Sequence, residues 1–262
     1  RASSRGGLTL GPRTDILMYH SISDRGGATS ITPDAFAMQM RVLSESNVPV
    51  LTLDEWVVRH DGGLLPARSV VITFDDGFQD FADCAWPIMR QHGFRPIIYL
   101  PTDYVGRAEG WRGIASPPRA LMNWATIQAL SAEGVLFGSH TVSHAHLDSL
   151  SDIALSEELE VAQEEIEDRL GRPVLHFAPP YGLAGASVRK RIAKLHRTSV
   201  GTRLAYASPG DDLHDLPRIE MFYFADEARW RDHLVGRGNG YFLKRQLLRK
   251  VRGLMMNPWR GI

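Results

Sequence analysis

Residues 69–77 read Ser69-Val70-Val71-Ile72-Thr73-Phe74-Asp75-Asp76-Gly77, an apolar run that breaks off in two adjacent carboxylates and a glycine. The run has the composition of a buried strand, and neighbouring side chains on a strand point to opposite faces. Asp75 and Asp76 therefore serve one site only if the chain bends there, and Gly77 supplies a permissive backbone for the bend. Two carboxylates held close together favour different states, one bound to a cation and one free to take a proton. By themselves the three residues fit a plain turn equally well, since aspartate and glycine are common in turns.

Outward from this run, apolar strands alternate with amphipathic segments, the pattern of a parallel sheet with crossover helices. Strands are expected at 16–19, ending at His20, at 70–74, at 96–100, at 135–137 leading to Gly138-Ser139-His140, and at 174–178 running into Pro179-Pro180-Tyr181-Gly182. Weaker strand candidates lie at 198–201 and 216–219. A helix follows Pro33 with Phe36, Met40 and Leu43 at helical spacing, and another carries Phe78, Phe81, Ala85 and Met89 with Pro87 inside it. Residues 126–133 read as a helix ended by Gly134. Ser151 reads as the N-cap of a long helix with Leu155, Leu159, Ala162, Ile166 and Leu170 on one face and glutamates on the other. His20, Asp75 with Asp76, His140 and Tyr181 all fall just after strands, the end of a β/α sheet or barrel where sites are built.

At 262 residues the chain suits one large domain, and its 30 basic and 30 acidic residues leave no global field to draw in nucleic acid. The single cysteine, Cys84, excludes an internal disulfide framework and a multi-cysteine metal site; it reads as a small hydrophobe on a helix face. No stretch approaches the apolar length needed to span a bilayer. Arg1 is not an initiator methionine, which is compatible with a trimmed leader; the expected location is the bacterial cell envelope with such a leader and the cytoplasm without one.

His140 and His144 stand four apart in Ser139-His140-Thr141-Val142-Ser143-His144. On a helical backbone such a pair shares one face at about 5–6 Å, close enough for both imidazoles to reach one ion. Asp76 would complete a set of two histidines and a carboxylate, leaving positions open for water and a substrate oxygen, as in catalytic rather than structural sites. An ion there lowers the pKa of its water and polarises a carbonyl, and the unligated Asp75 is placed to take the proton.

Residues 73–77, 139–144 and 177–182 resemble the first three motifs of the polysaccharide deacetylases, the NodB homology domain of carbohydrate esterase family 4. The flanks at 96–102, in Leu121-Met122-Asn123-Trp124 and at 147–150 are similar too, and the likeness covers about residues 14–220. It implies an α/β fold, a distorted (β/α) barrel of about seven parallel strands, with a catalytic domain at 14–225 and a basic helical extension at 226–262. It further implies a divalent metal, usually zinc, with cobalt or nickel as alternatives, and hydrolysis of N-acetyl groups on the amino sugars of an N-acetylated glycan.

Carried across, the family pattern makes Asp75 the base and Asp76, His140 and His144 the metal ligands. It puts Tyr181 where a backbone N–H steadies the oxyanion. Two departures stand out: Ala178 replaces the family's usual arginine in the third motif, and no late motif supplies the leucine-histidine pair of the general acid. Both departures, with the early Leu17-Met18-Tyr19-His20, are similar to the branch that contains the poly-N-acetylglucosamine deacetylases. There a histidine after the first strand can take the acid's place, which makes His20 the candidate acid. Arg218 is the candidate replacement for the missing arginine, with a surface ion pair to Glu220 or another acid as the alternative reading.

The rival functions are a catalytically inactive glycan-binding relative and a barrel hydrolase acting on a non-sugar amide. His146 reads as a non-ligand, and His60, His92, His196, His214 and His233 as surface residues. Trp111 and Trp124 are candidates for a sugar-stacking platform, with core packing the simpler fate of Trp124. The tail, from Lys244 through Arg252 to Leu254, Met255, Met256 and Trp259, reads as a basic amphipathic helix that either makes peripheral contact with anionic lipid or lies in solvent.

Overall fold

Seven parallel strands hydrogen-bond in the order β1, β4, β5, β6, β7, β8, β9 and close on themselves as a barrel, in a computed structural model that describes residues 11–27, 29–111 and 117–255. The elements run in the order β1 (Arg13–Tyr19), β2 (Ser21–Ile22), β3 (Ser30–Ile31), α1 (Pro33–Glu45), α2 (Leu53–Asp61), β4 (Arg68–Phe74), α3 (Trp86–Gln91), β5 (Ile97–Leu100) and α4 (Trp124–Ala132). They continue with β6 (Leu136–Ser139), α5 (Asp152–Leu170), β7 (His176–Phe177), α6 (Ala186–Leu195), β8 (Thr198–Leu204), β9 (Leu216–Glu220), α7 (Glu227–Leu234) and α8 (Asn239–Met255). β1 and β4 form the regular part of the wall, in register from Arg13 opposite Arg68 to Tyr19 opposite Phe74. Closure is made by β9 on β1, Leu17 opposite Ile219. The wall is distorted elsewhere: β6 meets β7 at Ser139 and Phe177 alone, and the register of β8 on β9 shifts between Val200 and Leu204.

Period-two alternation sorts the strand residues into two cores. Leu17, Tyr19, Val70, Ile72, Phe74 and Ile98 pack with Phe36, Met40 and Leu43 of α1 and with Phe81 and Met89. The residues between them, Ile16, Val71, Ile97 and Tyr99, join Val200, Leu216 and Trp56 in a second cluster. The helix ends follow from local chemistry. Thr32 caps α1 ahead of Pro33, Thr52 and Glu55 form a capping box on α2, and Ser151 caps α5, which ends in the left-handed Gly171.

Several sequence expectations are corrected. The helix expected through Phe78 and Met89 is a π-helical turn, Phe81–Ala85, followed by α3. Pro87 has no N–H to bond the carbonyl four residues back, and the Trp86 N–H reaches Phe81 five residues back instead. The strand expected at 174–178 shrinks to two residues, because the Val174 N–H is taken by the Glu167 carboxylate at 2.9 Å. His196 and His233 are buried rather than on the surface, 3% and 2% exposed. His233 belongs to α7, whose Trp230 and Leu234 pack with Phe242 of α8 into the same apolar cluster as β1 and β4. Cys84 is half-buried against that cluster. Met256 and Trp259 lie outside the described residues. No helix among the described residues is long and apolar enough to cross a membrane.

Candidate active site

The Asp75 N–H still bonds the Tyr19 carbonyl of β1 at 3.0 Å, so Asp75 continues the barrel wall for one residue beyond β4. The chain then reverses in three residues: Gly77 N–H bonds the Asp75 carbonyl at 2.9 Å, and Asp76 takes φ +71°. This turn brings two consecutive carboxylates to one cavity, the bend that the strand geometry required. Gly77 follows at φ +69°, and a Cβ on it would stand 2.6 Å from Leu100 Cδ2, so glycine is needed there on both counts.

His140 leaves β6 with its N–H on the Leu100 carbonyl. The segment to His144 is a loop and not the helical turn expected from the four-residue spacing; Thr141 (φ +71°) and His144 (φ +59°) both adopt the left-handed region. Thr141 Oγ1 accepts the His144 N–H at 3.0 Å, and Glu158 of α5 accepts the N–H groups of Val142 and Ser143, both at 2.9 Å. From the helical pattern in the sequence alone, Glu158 is expected on the face of α5 away from its apolar residues. Five non-glycine residues among those described have positive φ; three of them, Asp76, His144 and Tyr181, line this cavity, and a fourth, Thr141, follows His140. Such conformations cost of order 1–3 kcal/mol each and concentrate where function requires them.

Nε2 of His140 and Nε2 of His144 each stand 3.4 Å from Asp76 Oδ1, and the three ligand atoms lie within 4.8 Å of one another. A tetrahedral ion with bonds of about 2.0–2.2 Å separates its ligand atoms by about 3.3–3.6 Å. Nδ1 of His140 is 2.6 Å from the Ala178 carbonyl, which can only accept, so that nitrogen carries a proton and Nε2 is the atom left to face Asp76 or an ion. One carboxylate oxygen and two imidazole nitrogens converge at that spacing, and the three residues fit a divalent metal.

Asp75 is held apart from this trio by a guanidinium of its own. Arg218 of β9, 1% exposed, donates from Nη1 to Asp75 Oδ1 at 2.6 Å and from Nη2 to Oδ2 at 2.7 Å. Its remaining donors reach Thr73 Oγ1 at 3.1 Å and the Gly201 carbonyl at 2.9 Å. Glu220, the alternative partner, pairs with Arg249 of α8 at 3.5 Å. Burial pushes the Asp75 carboxyl up, but the adjacent Arg218, helped by His20 and His140, outweighs it and holds Asp75 below the ordinary carboxylate value. For Asp76, burial is again overcome, here by the two imidazoles, and the group sits well below that value. Both are anionic near neutrality.

His20, just past β1, has Nε2 3.7 Å from Asp75 Oδ2. Tyr181 lies in the turn after β7 at φ +61°, its ring edge-on to His144 at 4.8 Å and stacked on His146 at 4.0 Å. Trp111 stacks on His144 with centroids 4.3 Å apart, whereas Trp124 packs into the core with Arg169 over its ring. A cavity of about 320 Å³ is lined by Asp75, Asp76, His140, His144, His20 and Tyr181, together with Trp111, Glu220 and Arg249.

A family model described as polysaccharide deacetylase matches residues 63–200, more than half of the chain. The poly-beta-1,6-N-acetyl-D-glucosamine N-deacetylase of Staphylococcus epidermidis is 26% identical over 220 residues, covering 79% of this chain and 73% of that protein. IcaB from Ammonifex degensii shares the fold with a TM-score of 0.73 at 22% identity, over 87% of this chain and 98% of that one. The Streptococcus pyogenes deacetylase PplD in complex with acetate gives 0.71 at 24% identity, over 80% and 93%. The match takes in the Asp75-Asp76-Gly77 turn, both histidines of the loop and Tyr181, all on one rim of a barrel that these structures share, and the chain belongs to the polysaccharide deacetylase family.

Proposed function

We propose that this chain is a metal-dependent hydrolase that removes acetyl groups from the N-acetylated amino sugars of a poly- or oligosaccharide. The observation that carries the reading is the pairing of an ion-compatible trio, Asp76, His140 and His144, with an adjacent carboxylate, Asp75, that is not needed as a ligand and is gripped by Arg218. A bound divalent ion, most simply zinc, supplies Lewis acidity, polarising the acetyl carbonyl and easing deprotonation of water.

The chain's own groups do the rest. Asp75 takes the proton as water oxygen bonds to the carbonyl carbon; each of its oxygens keeps a lone pair beyond the one that Arg218 occupies. Arg218 fixes the direction of that carboxylate and keeps it ionised. The backbone N–H of Tyr181 steadies the negative oxygen of the tetrahedral intermediate. His20 gives a proton to the nitrogen as the carbon–nitrogen bond breaks, so the sugar leaves as an amine and the acyl group as acetate; without that proton the intermediate reverts to amide. The staphylococcal relative is named for a poly-N-acetylglucosamine, and we infer a polymer of N-acetylglucosamine as the substrate class.

Acetate release from a panel of acetylated glycans, before and after chelation and after return of zinc or cobalt, tests the reading. Chelation is expected to abolish release and metal to restore it. A metal-replete protein inert toward every glycan would point to a binding relative, and release from non-sugar amides alone to a different hydrolase.

We also assign residues 14–225 to the catalytic domain and 226–262 to a C-terminal extension that packs on it through Trp230, Leu234 and Phe242 and rests the outer face of α8 on an anionic lipid surface. No acidic residue follows Asp232, while seven Lys and Arg residues do. α8 exposes Leu243, Leu247 and Leu248 beside Lys244. Replacing Leu243 and Leu247 together by serine should weaken sedimentation with phosphatidylserine-containing liposomes; unchanged sedimentation removes the lipid surface from the account.

A further inference from the structure

The described flanks of the arm at 107–121 come together as a two-stranded ribbon on the cavity rim. Ala108 bridges Ala120, and Glu109 N–H bonds the Arg119 carbonyl at 2.8 Å. Across this ribbon lies a buried ion pair. Glu109 is 2% exposed; its Oε1 accepts the backbone N–H and Nε–H of Arg119 at 2.9 and 2.8 Å, and its Oε2 accepts from Nη2 at 2.8 Å. The Arg119 guanidinium also lies over the Phe78 ring at 3.9 Å and reaches Thr29 Oγ1 at 3.1 Å.

The pair sits between the two segments that carry the candidate metal ligands. On one side the Met122 N–H bonds the Gly77 carbonyl at 3.0 Å, next to Asp76. On the other, two residues beyond Glu109, Trp111 lies against His144. Gly110 between them packs so tightly that a Cβ would come 2.8 Å from the Tyr104 ring, which in turn meets Trp111 edge-on at 5.0 Å. A buried ion pair adds little net stability over apolar packing, and its best-attested benefit is a fixed registry.

We propose that Glu109 and Arg119 form a clasp that positions Trp111 against His144, and that Trp111 so held is the wall on which the acetamido sugar seats. The inference rests on the deacetylase reading for its substrate. Glu109 and Arg119 are positioning residues that act through Trp111.

A double-mutant cycle with two readouts tests it: steady-state acetate release from N-acetylglucosamine oligomers, and zinc release to a competing chelator. Glu109→Gln and Trp111→Ala are each expected to raise KM by about tenfold with kcat within about threefold, because the wall acts on binding before chemistry. Each should also speed zinc release. In the double variant neither quantity should move beyond Trp111→Ala alone. Losses that multiply in the double variant, or an unchanged KM and zinc release in Glu109→Gln, overturn the clasp. Should Glu109→Gln not fold, Arg119→Lys, which keeps the charge and loses the fork, goes through the same cycle. A wild-type chain that releases no acetate overturns the deacetylase reading, and the zinc-release cycle then decides the clasp separately.

Discussion

Arg218 is the residue on which the charge balance at Asp75 turns, because its guanidinium is the main counter-charge to that buried carboxylate and satisfies both of its oxygens. Removing it as Arg218→Met leaves Asp75 buried beside Asp76 without a counter-charge, a change that costs about 3–5 kcal/mol in comparable buried pairs. A urea titration is expected to show that loss, and a midpoint equal to wild type would contradict it. Asp75→Asn keeps the shape and the trio; it should retain stoichiometric zinc by elemental analysis and lose about 10²–10⁴-fold in turnover, the usual worth of a general base. His140→Ala should lose zinc as well. Asp75, Asp76, His140 and His144 were legible in the sequence because two short polar clusters each ended an apolar strand. Trp111 was legible only as a candidate sugar-stacking ring, since nothing along the chain says that it meets His144.

At the scale of the element, α5 shows why a periodic pattern gives half of a helix's meaning. Leu155, Leu159, Ala162 and Ile166 mark its buried face correctly, and the same period assigns every glutamate to the other. Which of those glutamates meets a loop depends on tertiary placement, and Glu158 is the one that gathers the N–H groups of Val142 and Ser143. Its loss would free a loop that holds two left-handed residues against their preference. Glu158→Ala is therefore expected to weaken zinc binding by about 10–100-fold, as removal of outer supports of metal ligands does, with the helix content by circular dichroism unchanged. Zinc affinity equal to wild type would mean that the loop stands without it. The spacing of His140 and His144 suggested a helical turn for the same reason: four residues apart is a helical signature only where the backbone is helical.

Across the whole molecule, the end of the barrel opposite the cavity is joined to the C-terminal helices by Asp15, Arg68 and His233. Asp15 accepts from Arg68 at 2.8 Å and stands 3.1 Å from His233, while Arg68 also bonds the Leu234 carbonyl. Burial pushes the Asp15 carboxyl up, and His233 and Arg68 together more than reverse it, leaving the group below its ordinary value. A carboxylate depressed on folding contributes stability that is complete above the unfolded pKa of about 3.9 and is lost as the pH falls through the folded value. Unfolding midpoints of wild type should drop below about pH 4, and the drop should be smaller in Asp15→Asn; equal acid slopes would refute the assignment. The barrel as a whole was legible from alternating strands and helices, whereas this joint was not, because His233 sits in a polar stretch with no periodicity that marks it as internal. The anchoring has a consequence at the other end of the molecule. α8 begins with Phe242 locked in the core and extends far enough for Arg249 to reach the cavity rim beside Glu220. A pull on the outer leucines of α8 would therefore be carried as a lever to the rim of the cavity that holds Asp76, His140 and His144.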